Sequence, residues 1–121
     1  MGLRVSWHNS HTLRCECMGH WNWSGFELAL ADLSASINSV SFVVDVILDV
    51  MPGAALPEGA LLHLTKVLAQ LRNHGRLVVL TSDAPTRQMV KAFRFHDQAA
   101  DRPLLLATSM AEIGALLTRA A

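Results

Sequence analysis

Apolar and polar residues alternate at the start of the chain. Leu13, Cys15 and Cys17 occupy every second position of residues 12–19, with polar residues between them. This period of two is typical of a strand with one buried face. Residues 5–8 and 12–19 therefore predict two strands joined by a turn at residues 9–10. We expect the apolar set to face a core and the polar set to face water.

The period then lengthens to that of a helix. Between residues 22 and 37, four apolar residues fall on one stripe, and Asn22 or Ser24 is available as the N-cap; the stripe contains Phe26, Leu30, Leu33 and Ile37. The next segment, "SFVVDVILD", is apolar almost throughout. Such a run is expected of a central strand that is covered on both faces.

The rest of the chain alternates between helices and short apolar strands. Prolines and a glycine interrupt the segment "VMPGAALP" and predict a loop there. A helix is predicted over residues 58–73. Gly75 is placed to end that helix in a left-handed conformation. "RLVVLT" predicts a strand, residues 82–95 a helix capped by Ser82 or Asp83, and "LLLA" a last strand. A capping box of Ser109 and Glu112 opens the final helix. The order is ββαβαβαβα, which predicts an α/β fold with a mixed, mostly parallel sheet.

Composition limits the classes of function. The chain has 121 residues, about the size of one domain, with ten Lys plus Arg against ten Asp plus Glu. No overall positive field is available to attract nucleic acid. Its apolar runs are much shorter than the roughly 20 residues of a membrane-spanning helix, and no secretory signal is visible. We expect a single domain over residues 1–121, located in the cytoplasm and without nucleic acid partners.

Histidine and cysteine cluster near the amino terminus, at His8, His11, Cys15, Cys17 and His20. Such a set suggests a zinc or copper site. The strand alternation argues against it, because the two cysteines share a face with an apolar residue, as small buried side chains do. We therefore expect no metal and no cofactor.

The other residues that could carry a function are also better explained by a structural role. Trp21 and Trp23 lie without any Lys or Arg nearby, so packing is favoured over base stacking. Asp45, within the central strand, must find a partner, lie at a sheet edge or face a cavity. A receiver-like phosphoacceptor is disfavoured because the chain opens as a hairpin. No nucleophile with a base and no glycine-rich phosphate loop is present, so we expect no enzyme.

The element order and several segments resemble a known family. "FVVDVILD" ending in an acid, "GRLVVLTSDAPTRQMVKAF" and "SMAEIGALL" are similar to the STAS family, the fold of anti-sigma-factor antagonists. "VSWHN", "GHWNWSGF" and "LPEGALLHL" resemble small bacterial SpoIIAA-like proteins. The resemblance implies a regulatory protein partner, such as a kinase or an anti-sigma factor. It also implies a phosphorylatable Ser at the start of the helix after the acid-ended strand, but this sequence has no hydroxyl residue between Asp49 and Thr65.

The junction after the central strand is the predicted binding surface, because helix amides at the carboxyl ends of parallel strands are where ligands and partners dock. Its residues come from the loops and helix starts that follow two strands: Asp49, Met51, Pro57, Glu58, Gly59, Ser82 and Asp83. Asp49 caps loop amides or contacts a ligand. Glu58 is either an ordinary first-turn residue or a permanent substitute for a phosphate.

Two hypotheses of function follow. The first is a non-enzymatic STAS-like module that docks a protein partner on residues 51–61 and 82–87. The second is a carrier domain that holds a small ligand, a lipid or a nucleotide, in a pocket at the same end of the sheet. Helix surfaces rich in Leu and Ala could also support a homodimer.

Overall fold

The elements of the fold follow the predicted order. The computed structural model describes residues 2–19, 22–54, 56–96 and 104–117, without the side chains of residues 2, 58 and 94–96. In chain order the elements are β1 (Gly2–Asn9), β2 (Thr12–Met18), α1 (Trp23–Asn38), β3 (Val44–Val50), α2 (Glu58–Ala69), β4 (His74–Leu80), α3 (Ala84–His96), β5 (Leu104–Ala107) and α4 (Met110–Leu117). This confirms the order ββαβαβαβα.

The five strands form one sheet in the order β1-β2-β3-β4-β5. β1 pairs with β2 in antiparallel fashion, and every later pair is parallel. The sheet is therefore mixed and mostly parallel, as predicted. Each parallel connection moves one strand further in the same direction, so right-handed crossovers place α1, α2 and α3 on the same face.

Two apolar clusters cover the two faces of the sheet. The larger cluster combines strand residues such as Leu13 and Val46 with Phe26 of α1, Leu64 of α2 and Val90 of α3. The smaller cluster lies on the opposite face, where Ile113 of α4 packs against the sheet. Because α4 contacts β4 and β5, the other half of that face carries the polar residues of β1 and β2.

β3 is the central strand, and all seven of its residues are buried. Its valines face the larger cluster, so Asp45 and Asp49 point to the opposite face. The Asp45 carboxylate has a partner, because its Oδ1 accepts a hydrogen bond of 2.7 Å from the backbone N–H of Arg76. Such bonding is what a buried carboxylate requires.

The end of α2 differs from the prediction. The helix ends at Ala69 rather than near residue 73, and Gly75 lies inside β4. Among the residues described, the positive φ angles belong to Gly19 and Gly53. The connection is held instead by Asn73, whose Nδ2 lies 2.8, 3.1 and 2.9 Å from the carbonyl oxygens of Ile37, Val40 and Phe42. A left-handed glycine is not needed there.

The solvent exposure of the polar side chains of β2 is also lower than predicted. Thr12 is buried, and Arg14 and Glu16 are half-buried rather than fully exposed. They lie on the sheet face that α4 shares, beside the acids of β3. Within the part of the chain that the structure describes, no helix is long and apolar enough to cross a membrane.

Asn73→Ala should lower the free energy of unfolding by about 1–3 kcal/mol, because carbonyl groups at the end of α1 would lose their donor. Asn73→Asp should cost at least as much, since a carboxylate cannot donate. Urea unfolding measures both. As a control, Asn38→Ala changes an exposed residue and should alter stability by less than about 0.5 kcal/mol. Equal effects at the two positions would contradict the role given to Asn73.

Candidate functional site

The loops that follow β3 and β4 leave the sheet at the same end, where the carboxyl ends of the parallel strands lie. We call this end of the sheet the carboxyl edge, and the opposite end the amino edge. Asp49 is paired with Leu80 in the parallel ladder, so the loop at 51–57 and the loop at 81–83 begin side by side. In a parallel sheet this edge also receives the amino ends of the crossover helices. The structure thus places Met51, Pro57 and Gly59 at the same end of the sheet as Ser82 and Asp83.

The loop after β3 turns sharply. The Met51 N–H donates to the Cys17 carbonyl at 3.0 Å, and the Met51 carbonyl then accepts from the Ala54 N–H at 3.0 Å. Pro52 and Gly53 occupy the two central positions of this turn, and the φ of Gly53 is +86°. This is the pattern of a type II turn, in which Gly takes the third position because a side chain there would be strained.

α2 begins without a side-chain cap. Pro57 is the N-cap residue, has no side chain that can accept a hydrogen bond, and lies at φ −65° and ψ 146°. Its carbonyl accepts from the N–H groups of Ala60 at 3.0 Å and Leu61 at 3.4 Å. The first amides of a helix lack acceptors within the helix, so they are available to a partner. The Glu58 side chain lies outside the described part of the structure, and both interpretations of it stay predictions.

An exposed apolar patch lies beside the start of α2, formed by Trp23, Gly59 and Leu62. The Trp23 side chain is 48% exposed and meets Phe26 edge to face at 5.7 Å between ring centroids. Its ring also covers Gly59, where an added Cβ would lie 3.7 Å from Trp23 Cη2. Leu62 is one turn further along α2 and is 45% exposed. We call these three residues the apolar patch.

A polar contact joins α1 and α2 next to the apolar patch. His63 Nε2 of α2 lies 3.1 Å from Glu27 Oε1 of α1, and both side chains are partly exposed. The His63 ring also packs near Phe26, with 6.1 Å between centroids. The sequence predicts a packing role for Trp23, and its contact with Phe26 fits that role. Its second contact, across to Gly59, depends on how α1 and α2 meet, which no local pattern reveals.

Asp49 is held by Arg14 of β2. Arg14 Nε donates to Asp49 Oδ2 at 3.0 Å, and Nη2 donates to the same oxygen. Asp49 is buried, while Arg14 is about a quarter exposed. Asp49 therefore makes an ion pair between neighbouring strands rather than capping loop amides. This partner was missed because Arg14 lies 35 residues earlier in the sequence.

Asp83 caps α3, as one of the two predicted candidates. Its Oδ2 accepts from the Thr86 hydroxyl at 2.6 Å and from the Thr86 N–H at 3.0 Å. Both hydrogen bonds lower the pKa of the Asp83 carboxyl, and the bond from the Thr86 hydroxyl contributes more than the bond from the Thr86 N–H. Thr81 orders the same loop, because its Oγ1 accepts from the Asp83 N–H at 3.1 Å. Ser82 lies exposed between them.

The cysteines of the amino-terminal cluster face the core. Cys15 and Cys17 are both free and buried. A hydrogen bond from the Cys17 thiol lowers the pKa of Cys15 and, together with burial, raises the pKa of Cys17. His20 lies outside the described residues. Within the described ranges, no group of three or more His, Cys, Asp or Glu side chains is placed to hold a metal ion.

Thr86→Val should raise the pKa of Asp83, because the variant removes the hydroxyl that contributes most to the lowering. With the folded pKa below the unfolded one, the cap stabilises the fold above the unfolded pKa. That stabilisation is lost as the pH falls through the folded pKa. A carbonyl-detected NMR titration measures both proteins. Ser82→Ala keeps both Thr86 donors and should leave this pKa unchanged; a Thr86→Val titration curve that matches the parent would refute the assignment.

The fold has a counterpart among solved structures. No family model and no curated protein matches this chain. The structure of the Bacillus cell fate determinant SpoIIAA in its phosphorylated form matches with a TM-score of 0.62 and 16% identity, over 95% of this chain and 99% of that one. At that identity the likeness concerns the fold. The α/β architecture expected from the sequence is confirmed, and the chain has the STAS fold of SpoIIAA.

Proposed function

We propose that this chain is a non-enzymatic regulatory module that docks a protein partner at the carboxyl edge of its sheet. The observation that carries the proposal is the apolar patch, where Trp23 and Leu62 stay about half exposed beside the uncapped start of α2. Aromatic side chains in such positions dominate the binding energy of many protein interfaces. The likeness to SpoIIAA, itself a cell fate determinant, supports a regulatory role.

The chemistry of this edge suits a protein surface. Pro57 and the type II turn at residues 51–54 fix the backbone beside the helix amides. The loop therefore loses little conformational entropy when a partner binds. Ser82 and Asp83 add polar groups one loop away. An apolar centre with a polar rim is the usual anatomy of an interface. A kinase or an anti-sigma-like protein is the partner that the family resemblance suggests.

Docking here would not be controlled by phosphorylation at the start of α2. Residues 50–64 contain no Ser, Thr or Tyr. Thr65 is the first hydroxyl residue of α2, and its Oγ1 donates to the Leu62 carbonyl at 2.9 Å, well inside the helix. SpoIIAA has been solved in a phosphorylated form. We therefore propose that this chain keeps the docking surface but binds without that switch.

The apolar patch can be tested with a charge. Leu62→Glu should reduce binding of the partner by about tenfold or more, because a carboxylate would be buried in the contact. The control is Leu28→Glu on α1, which changes a leucine that is 71% exposed. Leu28 lies about 140° around the helix from Trp23.

The measurement has two stages. Affinity capture with the full chain and quantitative mass spectrometry identifies proteins that bind the parent and the Leu28→Glu variant, and calorimetry with the purified partner then gives each dissociation constant. Loss of binding with Leu62→Glu alone supports the proposal. A partner held equally by all three proteins would overturn the placement of the surface.

The small-ligand alternative finds its support elsewhere in the molecule. A cavity of about 520 Å³ lies at the amino end of β3, near Thr12, Asp45 and Ile113. That is the opposite edge of the sheet from the one at which a lipid or nucleotide pocket was expected.

A further inference from the structure

The outer side of β1, which faces away from β2, is open to pairing with another strand. β1 comes first in the sheet order, and no other strand among the described residues pairs with that side. β1 has eight residues, whereas β5, at the other end of the order, has four. Proteins usually protect such a strand with Lys, Pro or a bulge. Residues 2–7 contain no Lys or Pro, and the register shifts only after Trp7.

The register between β2 and β3 fixes where the backbone groups of β2 point. The Asp45 N–H donates to the His11 carbonyl at 2.9 Å, and the Met51 N–H donates to the Cys17 carbonyl at 3.0 Å. The residues between follow the same parallel register. The odd-numbered residues of β2 therefore direct their N–H and C=O groups to β3. Because successive residues of a strand direct these groups to opposite sides, the even-numbered residues bond to β1.

The same alternation then sorts the residues of β1. Arg4 and Ser6 are paired with even-numbered residues of β2, so their backbone groups point inwards to that strand. Leu3, Val5 and Trp7 alternate with them. The N–H and C=O groups of these three residues therefore lie on the outer side of β1.

These three residues also form an apolar row on the helix-covered face of the sheet. Leu3 and Val5 are partly buried against the larger cluster. Trp7 continues the row but stays 44% exposed. Its ring tilts against that of Phe42, with 6.4 Å between centroids, and Phe42 is itself 39% exposed. The outer side of β1 thus joins unpaired backbone groups to an exposed aromatic surface.

We propose that two copies of this chain pair through the outer sides of β1, antiparallel, with Val5 on the two-fold axis. Val5 then faces Val5 of the second copy, and Leu3 faces Trp7 of the second copy. The three residues exchange backbone bonds in both directions, which gives about six hydrogen bonds. Each Trp7 ring gains an aliphatic cross-strand neighbour. Such a two-fold contact is closed, so it produces a dimer and no filament.

Charge makes the strand complementary to itself in this register. Arg4 is the one Lys, Arg, Asp or Glu of residues 2–9, and with Val5 on the axis it faces Ser6 of the second copy. An axis at Arg4 would set two guanidinium groups opposite each other, which is destabilising. An axis at Ser6 would set Leu3 against Asn9, where the regular register of β1 has already ended. A second copy of the chain therefore fits the outer side of β1 without a charge conflict.

The dimer can be detected without any variant. Sedimentation velocity of the full chain over a range of concentrations should show a reversible species of twice 13.2 kDa. In NMR exchange experiments the amides of Leu3, Val5 and Trp7 should slow strongly as the concentration rises. The amides of Arg4 and Ser6 should change less, because they are already bonded to β2. A chain that stays monomeric at about 1 mM, or that forms a larger assembly, would overturn the proposal.

Two substitutions of Val5 locate the contact. Val5→Pro removes the N–H on the two-fold axis, and proline is tolerated where a strand N–H faces solvent. This variant should be monomeric at concentrations where the parent is a dimer, with circular dichroism confirming that it is folded. Val5→Ile keeps the N–H and the β-branched shape, so it should dimerise as the parent does. A folded Val5→Pro variant with the parent's dimer affinity would refute the inference.

A charge pair at Ser6 tests the register even if Val5→Pro does not fold. Ser6→Lys places an ammonium group opposite Arg4 of the second copy, and Ser6→Glu places a carboxylate there. Each pair occurs twice in a two-fold dimer, so the dissociation constant should rise about tenfold for Lys and fall about tenfold for Glu. Equal dissociation constants for the two variants would contradict the pairing.

Discussion

The structure depends on the burial of two carboxylates in its central strand. Every residue of β3 is buried, yet two of the seven are aspartates. An unpaired buried charge costs several kcal/mol, so a chain of this kind folds only when each acid finds donors. Arg14 on β2 supplies them to Asp49 at the carboxyl end, and the backbone of β4 supplies one to Asp45 near the amino end. The acids thereby tie β3 to both of its neighbours.

The same arrangement separates two surfaces. Because β2, β3 and β4 run parallel, the two helices that follow β3 and β4 begin at one edge of the sheet, and the carboxyl edge presents loops, helix amides and the apolar patch. At the amino edge, Asp45 forms the floor of the cavity. α4 covers only part of the second face, which is what leaves room for that cavity. The apolar patch and the cavity therefore lie at opposite ends of the same central strand.

The local pattern of apolar and polar residues predicted the helices and strands well, because each of them depends mainly on the residues within it. The period of two over residues 12–19, the apolar run of β3 and the Asp83 cap are local signals, and the structure contains all three. Contacts between distant residues were not predictable. Arg14 reaches Asp49 only because of the register between β2 and β3. Gly75 looked like a helix stop, but Asn73 anchors that connection through carbonyls more than 30 residues away.

Native-state hydrogen exchange tests the role of β3 most directly. If both faces and both edges of the strand are covered, the amides of Val46, Ile47 and Leu48 should exchange only through global unfolding, with the full denaturant dependence. Val5, in the edge strand β1, should exchange through a smaller opening. Exchange of the β3 amides that is as fast as that of Val5 would contradict the account.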